Sequence, residues 1–150
     1  MIHVKIEPTE DFKLPRKATK GAACFDVHIG RIEEKTDGMI ICYLGFKTEI
    51  PFGYKGNLLA RSSMSKYGWV LANGTGIIDD DFRGEWQARF RHIPVYSNNF
   101  FSKLFGLVKK RPKFPYKVGE RVAQVYFDKV IHTQFNLVNS LSKTKRKGGY

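Results

Sequence analysis

Apolar and polar residues alternate in short runs along this chain, and glycines and prolines cut the runs at close intervals. Residues 3–6 alternate as a half-buried strand does, and Cys24-Phe25-Asp26-Val27-His28-Ile29 reads as a second strand. Gly38 opens residues 40–50, a long segment rich in β-branched and aromatic side chains. Pro51-Phe52-Gly53 reads as a turn and residues 54–61 as a further strand. Residues 74–93 mix strand formers with a turn at Asp79-Asp80-Asp81 and Gly84, and residues 122–131 and 133–138 follow. Helical periodicity is almost absent, so the pattern predicts an all-β barrel or sandwich. Residues 97–111 depart from it. Phe101, Leu104, Phe105 and Val108 fall at helical spacing, Ser97 or Asn98 offers a cap, and Pro112 offers a stop. Gly106 weakens a helix, so this insert is either a short amphipathic helix or an apolar hairpin arm.

Composition narrows the class. With 150 residues the chain makes one domain that buries a core without staples. No repeat or linker divides it, so residues 1–141 form the domain, with the insert at about 97–115. Residues 142–150 form a basic tail ending Gly148-Gly149-Tyr150, expected to be mobile until a partner orders it. Two cysteines exclude a disulfide framework and a cysteine-rich zinc site. The longest apolar run, residues 39–46, is too short to span a bilayer, and the first residues contain no secretory signal. A cytoplasmic protein with reduced thiols is expected. The formal charge of +12 points to an anionic partner or to a solvated basic surface.

Four strings carry candidate chemistry. Ala60-Arg61-Ser62-Ser63 puts a guanidinium beside two hydroxyls, which suits a phosphate and equally suits a surface turn. In Gly74-Thr75-Gly76-Ile77-Ile78-Asp79-Asp80-Asp81 the glycines admit close backbone approach to a ligand. The three adjacent acids repel one another, as a general base or cation site could require, or form a solvated turn. Gly119-Glu120-Arg121-Val122-Ala123-Gln124 enters an apolar strand, whose polar residues face either a ligand or water. Lys145-Arg146-Lys147-Gly148-Gly149-Tyr150 is a flexible hinge carrying an aromatic ring, able to close on an aromatic phosphorylated ligand, or an expendable tail.

In this order, with residues 21–27 ahead of them, the strings resemble the five motifs of the trimeric dUTP diphosphatase (dUTPase) family. The first motif is Gly21-Ala22-Ala23-Cys24-Phe25-Asp26-Val27, the second runs from Ala60 to Gly68, and the third is Gly76-Ile77-Ile78-Asp79-Asp80-Asp81-Phe82-Arg83-Gly84. The fourth runs from Gly119 to Gln124, and the fifth begins at Arg146. The resemblance covers nearly the whole chain. Cys24 stands where the family usually has Gly, Ala60 where it has Pro, and Phe82 where it has Tyr. The fifth motif is one residue short and stops before the usual Gly-Ser-Thr-Gly, which leaves open whether the chain continues past Tyr150. The insert lies between the third and fourth motifs, where some phage members also carry one.

The resemblance implies a jelly-roll-like β-barrel that hydrolyses dUTP to dUMP and pyrophosphate with Mg²⁺, by in-line attack of water on the α-phosphorus. Asp79 would orient that water and take its proton. Asp26 would hold the metal through its water shell, and Arg61, Ser62, Gln124 and more weakly Ser63 would contact phosphates. A β-hairpin from Asn73 to Phe82, with Gly76 and Ile78, would pair with the uracil edge. Phe82 would pack on the deoxyribose and exclude a 2′-hydroxyl. Arg146 and Tyr150 would close over the substrate, Tyr150 stacking on the base. The family assembles as a homotrimer with sites shared between subunits. Such a trimer carries +36 (3 × 12) and could also hold DNA non-specifically. Two other readings remain: a binding or regulatory protein acting on a protein partner through the apolar and basic insert, and a relative of dCTP deaminase, which shares the barrel.

Overall fold

The structure, a computed structural model, describes residues 1–9, 11–94 and 111–145. Ten strands account for its regular structure: β1 (Lys5–Pro8), β2 (Phe25–His28), β3 (Arg31–Glu34), β4 (Ile40–Tyr43), β5 (Phe46–Glu49), β6 (Tyr54–Ala60), β7 (Trp69–Leu71), β8 (Gly76–Ile78), β9 (Gln87–His92) and β10 (Arg121–Lys129). A 3₁₀ helix, Ser62–Tyr67, joins β6 to β7. One four-stranded sheet has the order β2-β10-β6-β8, the other β3-β4-β9-β7, and β1 pairs with β5. Every pairing is antiparallel. The all-β, jelly-roll-like expectation is met.

The core lies between the sheets. Alternation builds it: on β9, Ala88 and Phe90 are buried while Arg89 and Arg91 face outward. Trp86, Phe46, Phe90, Val27 and Val125 meet in the interior. Trp86 is fully buried and donates its indole N–H to Thr48 Oγ1 at 3.0 Å, which fixes the ring. Gly56 on β6 makes room for that ring, since a Cβ there would come within 2.6 Å of Trp86 Cη2. Gly56→Ala is therefore expected to destabilise the fold by about 1–3 kcal/mol, read as a lower denaturant midpoint. An unchanged midpoint would mean that the Trp86 ring can move.

The structure departs from the sequence pattern in several places. Residues 40–50 are not one strand. β4 and β5 belong to different sheets, and Gly45, at φ +77°, turns the chain between them. Glu85 fixes this corner, accepting from Gly45 N at 3.2 Å and from Thr9 Oγ1 at 3.0 Å. Residues 133–138 have strand-like composition but form no strand and pair with none among the described residues. Ile131, Phe135, Leu137 and Leu141 are almost fully exposed on this arm. The sequence pattern marks neither the 3₁₀ helix nor β3 and β7. The expected helix or hairpin at 97–110 lies outside the described residues. Its exit from Arg111 onward has no regular structure and packs on the barrel: the Phe114 ring meets Trp69 at 5.2 Å and Phe90 at 5.5 Å.

Both cysteines are free, and burial pushes the Cys42 thiol up to about 12, so it stays protonated. Among the described residues no helix is long and apolar enough to cross a membrane.

Candidate active site

Asp26, Arg61 and Gln124 meet where β2, β6 and β10 lie side by side. Asp26 pairs with Gln124 across β2 and β10, and Gln124 with Leu59 across β10 and β6, two residues before Arg61. The Asp26 carboxylate sits between two guanidiniums: Arg121 donates to Oδ2 at 2.9 Å, and Arg61 Nε lies 3.5 Å from Oδ1. Arg61 also donates to the Arg121 carbonyl at 3.0 Å. Two arginines against one carboxylate leave a net positive site, with Asp26 largely buried and Arg121 half exposed, suited to an anion of several charges. His28 follows Asp26 on the same strand face. Burial, with Lys13 and Arg121 nearby, holds its imidazole below the usual histidine value, so it adds no cation at neutral pH.

Ser62 and Ser63 open the 3₁₀ helix directly after Arg61. Ser63 is tied to Tyr116, whose hydroxyl lies 2.6 Å from its Oγ. Arg121 and Tyr116 are the site residues that sequence reasoning passed over. Arg121 stood within the fourth motif, so its signal was present; Tyr116 had none.

Asn73, Gly76, Ile78 and Phe82 line a second cleft, of about 600 Å³. They do not form a self-paired hairpin. β7 pairs with β9, β8 pairs with β6, and Asp79 through Phe82 make a turn closed by Phe82 N–H to the Asp79 carbonyl at 3.2 Å. Three residues find a ladder only because β6 supplies it. β8 ends its sheet, so its outer row of backbone groups faces away from β6. The two glycines have different reasons. Gly74 has φ +68°, and a Cβ there would meet nothing within 4 Å, so its side is open. A Cβ at Gly76 would press Leu58 Cβ at 3.2 Å, so that glycine serves packing against β6 rather than ligand approach. The Phe82 ring lies over Gly84, where a Cβ would come within 2.5 Å of it.

The three acids separate by role. Asp80 accepts from Gly53 N at 3.1 Å and pins the turn, and Arg83 donates to the Asp80 carbonyl at 2.6 Å. The carboxylates of Asp79 and Asp81 are exposed and make no hydrogen bond or ion pair among the described residues. Asp79 is thus free to act on a bound molecule. It stands far from Asp26 within one chain. Ile78 is opposite Gly56 on β6, while Gln124 is opposite Leu59. Asp79 therefore falls near Lys55, four residues or ~13 Å along the strand from the phosphate-type cluster. Arg146 and Tyr150 lie outside the described residues.

Among the described residues no three His, Cys, Asp or Glu side chains gather as a metal cage. One carboxylate already held by two arginines does not bind a bare cation. It fits a hydrated magnesium that arrives with substrate phosphates, because magnesium retains several waters.

Comparison with known proteins gives the family. The dUTPase family model matches residues 10–91. The deoxyuridine 5'-triphosphate nucleotidohydrolase of Desulfitobacterium hafniense is 37% identical over 142 residues, covering 91% of this chain and 83% of its own length. That of Bdellovibrio bacteriovorus is 32% identical over 152 residues, covering 97% and 91%. Among solved structures, the dUTPase from phage phi11 of S. aureus, with a species-specific insert, superposes at a TM-score of 0.69 and 17% identity, covering 93% of this chain and 97% of its own. The Staphylococcus bacteriophage 80alpha dUTPase superposes at 0.67 and 18%, covering 94% and 99%. A mutant of the phi11 enzyme coordinates a structural Mg(II) ion. Sequence and barrel agree, and the chain belongs to the dUTPase family.

Proposed function

We propose that this protein hydrolyses dUTP to dUMP and pyrophosphate, at sites built from more than one copy of the chain. The observation that carries the reading is the pairing of a basic phosphate-type cluster at Asp26, Arg61, Arg121 and Gln124 with an unengaged Asp79 carboxylate in the third motif. Arg61, Ser62 and Gln124 bind the phosphates and stabilise charge as the P–O bond breaks. Asp79 orients a water toward the α-phosphorus and accepts its proton. Asp26 would hold a magnesium ion through its water shell, and that ion would supply neutralisation of the triphosphate's charge. The open edge of β8 and the amide of Asn73 take the uracil edge, and Phe82 packs on the deoxyribose.

Two observations favour sites shared between copies, for which the family resemblance implies a homotrimer. Asp79 is too far from the phosphate cluster of its own chain to serve it. The arm of residues 130–145 also exposes Ile131, Phe135, Leu137 and Leu141, each worth about 1.5–3 kcal/mol when buried. A neighbouring copy supplies that cover. The fifth motif, with Arg146 and Tyr150, then reaches a site on another subunit.

Pyrophosphate release from dUTP, with chromatography of the products from dUTP and dCTP, tests the function. Formation of dUMP from dUTP and no dUTP from dCTP is expected; deamination of dCTP would favour the deaminase reading. Activity is expected to require Mg²⁺ and to fall as salt rises, because a basic site meets a polyanion. Full activity in excess EDTA would contradict the metal's role.

A further inference from the structure

The Ser63–Tyr116 contact joins two parts of the chain that the motifs treat separately. Ser63 follows Arg61 and Ser62 at the head of the 3₁₀ helix, and Tyr116 lies on the segment returning from residues 95–110 to β10. Their oxygens are 2.6 Å apart and partly buried. The Tyr116 ring is held edge-on by Tyr67 at 6.1 Å and by Phe114 at 5.9 Å. Phe114 in turn packs on the buried Trp69 and Phe90. The hydroxyl therefore sits at the end of a ring fixed by the core, whereas a serine Oγ alone rotates among three staggered positions. A phenol is the stronger acid of the two. When it donates to Ser63 Oγ, the serine keeps its own proton for another acceptor.

We propose that Tyr116 is a positioning residue for the phosphate site: it locks the Ser63 hydroxyl so that its proton is presented to a phosphate oxygen of dUTP. This rests on the proposed phosphate site at Arg61 and Ser62 and extends it to the neighbouring Ser63. The hydroxyl serves bound substrate and transition state alike, so its loss raises KM and leaves kcat nearly unchanged.

The test compares Tyr116→Phe, Ser63→Ala and the double variant by steady-state dUTP hydrolysis and by thermal melting. Tyr116→Phe keeps the ring and its packing, so its melting temperature should stay near the parent's. Each single variant should raise KM about three- to tenfold, the range of one hydrogen bond, with kcat within about twofold. The double variant should be no worse than Ser63→Ala, because Tyr116 acts through Ser63. A raised KM in Ser63→Ala with an unchanged KM in Tyr116→Phe would overturn the role of Tyr116 and leave the phosphate assignment standing. Additive effects in the double variant would overturn it as well. An unchanged KM in Ser63→Ala would remove Ser63 from the phosphate site, and the proposal with it.

Discussion

Asp79→Asn is expected to bind dUTP with near-native affinity and to lose turnover by about two to four decades, the range for a removed general base. That loss corresponds to about 3–5 kcal/mol of barrier. The amide matches the carboxylate in size and still offers an oxygen to a water, but it cannot take the proton. The turn should survive the change. It is closed by the Asp79 backbone carbonyl, by Asp80 Oδ2 on Gly53 N and by Arg83 on the Asp80 carbonyl, none of which uses the Asp79 side chain. Two neighbours serve as controls. Asp81→Asn should leave turnover within a few-fold of the parent, because the proton acceptor is assigned to Asp79 and Asp81 has no part in the proposed chemistry. Asp80→Ala should lower stability, because it removes the acceptor of Gly53 N. Turnover of Asp79→Asn within tenfold of the parent would reject Asp79 as the base. Pyrophosphate release and equilibrium binding of a non-hydrolysable dUTP analogue separate the two effects.

Mixed assemblies of Asp79→Asn and Arg61→Ala chains should recover about a quarter of the parent activity, although each variant alone is nearly inactive. The register gives the reason. Asp79 stands near Lys55, and the Asp26–Arg61–Gln124 cluster near Leu59, ~13 Å apart along β6. A proton acceptor must lie within one hydrogen bond of its water, so the two parts serve different sites unless they come from different chains. In a cyclic trimer assembled at random from equal amounts, a site taking its acid from one chain and its arginine from another is intact with probability about 1/2 × 1/2. Were both parts drawn from one chain, every site would carry one lesion. The variants would be unfolded together, refolded and assayed, with mass spectrometry to establish that mixed trimers formed. Mixed trimers without activity would sink the shared-site reading.

The sequence by itself determined the class of fold and the residues of the proposed chemistry. Short alternating runs broken by glycine and proline specify strands locally, because the side-chain period of two is a property of the backbone rather than of its surroundings. Asp26, Arg61, Ser62, Asp79 and Gln124 were legible because each stands in a string whose order along the chain is itself the signal. Tertiary structure decided what depends on partners distant in sequence. The run at 40–50 breaks at Gly45 because β4 and β5 belong to different sheets, and the strand-like residues 133–138 pair with no strand among the described residues. No local pattern tells Asp80 from its neighbours. Only the approach of Gly53, 27 residues away, makes it the structural acid and leaves Asp79 exposed beside it. Arg121 on Asp26, 95 residues apart, and Tyr116 on Ser63, 53 apart, are equally invisible along the chain. Hydrogen bonds between side chains require two residues to be brought within about 3 Å of each other, and for pairs so distant in sequence it is the packing of the barrel that brings them there.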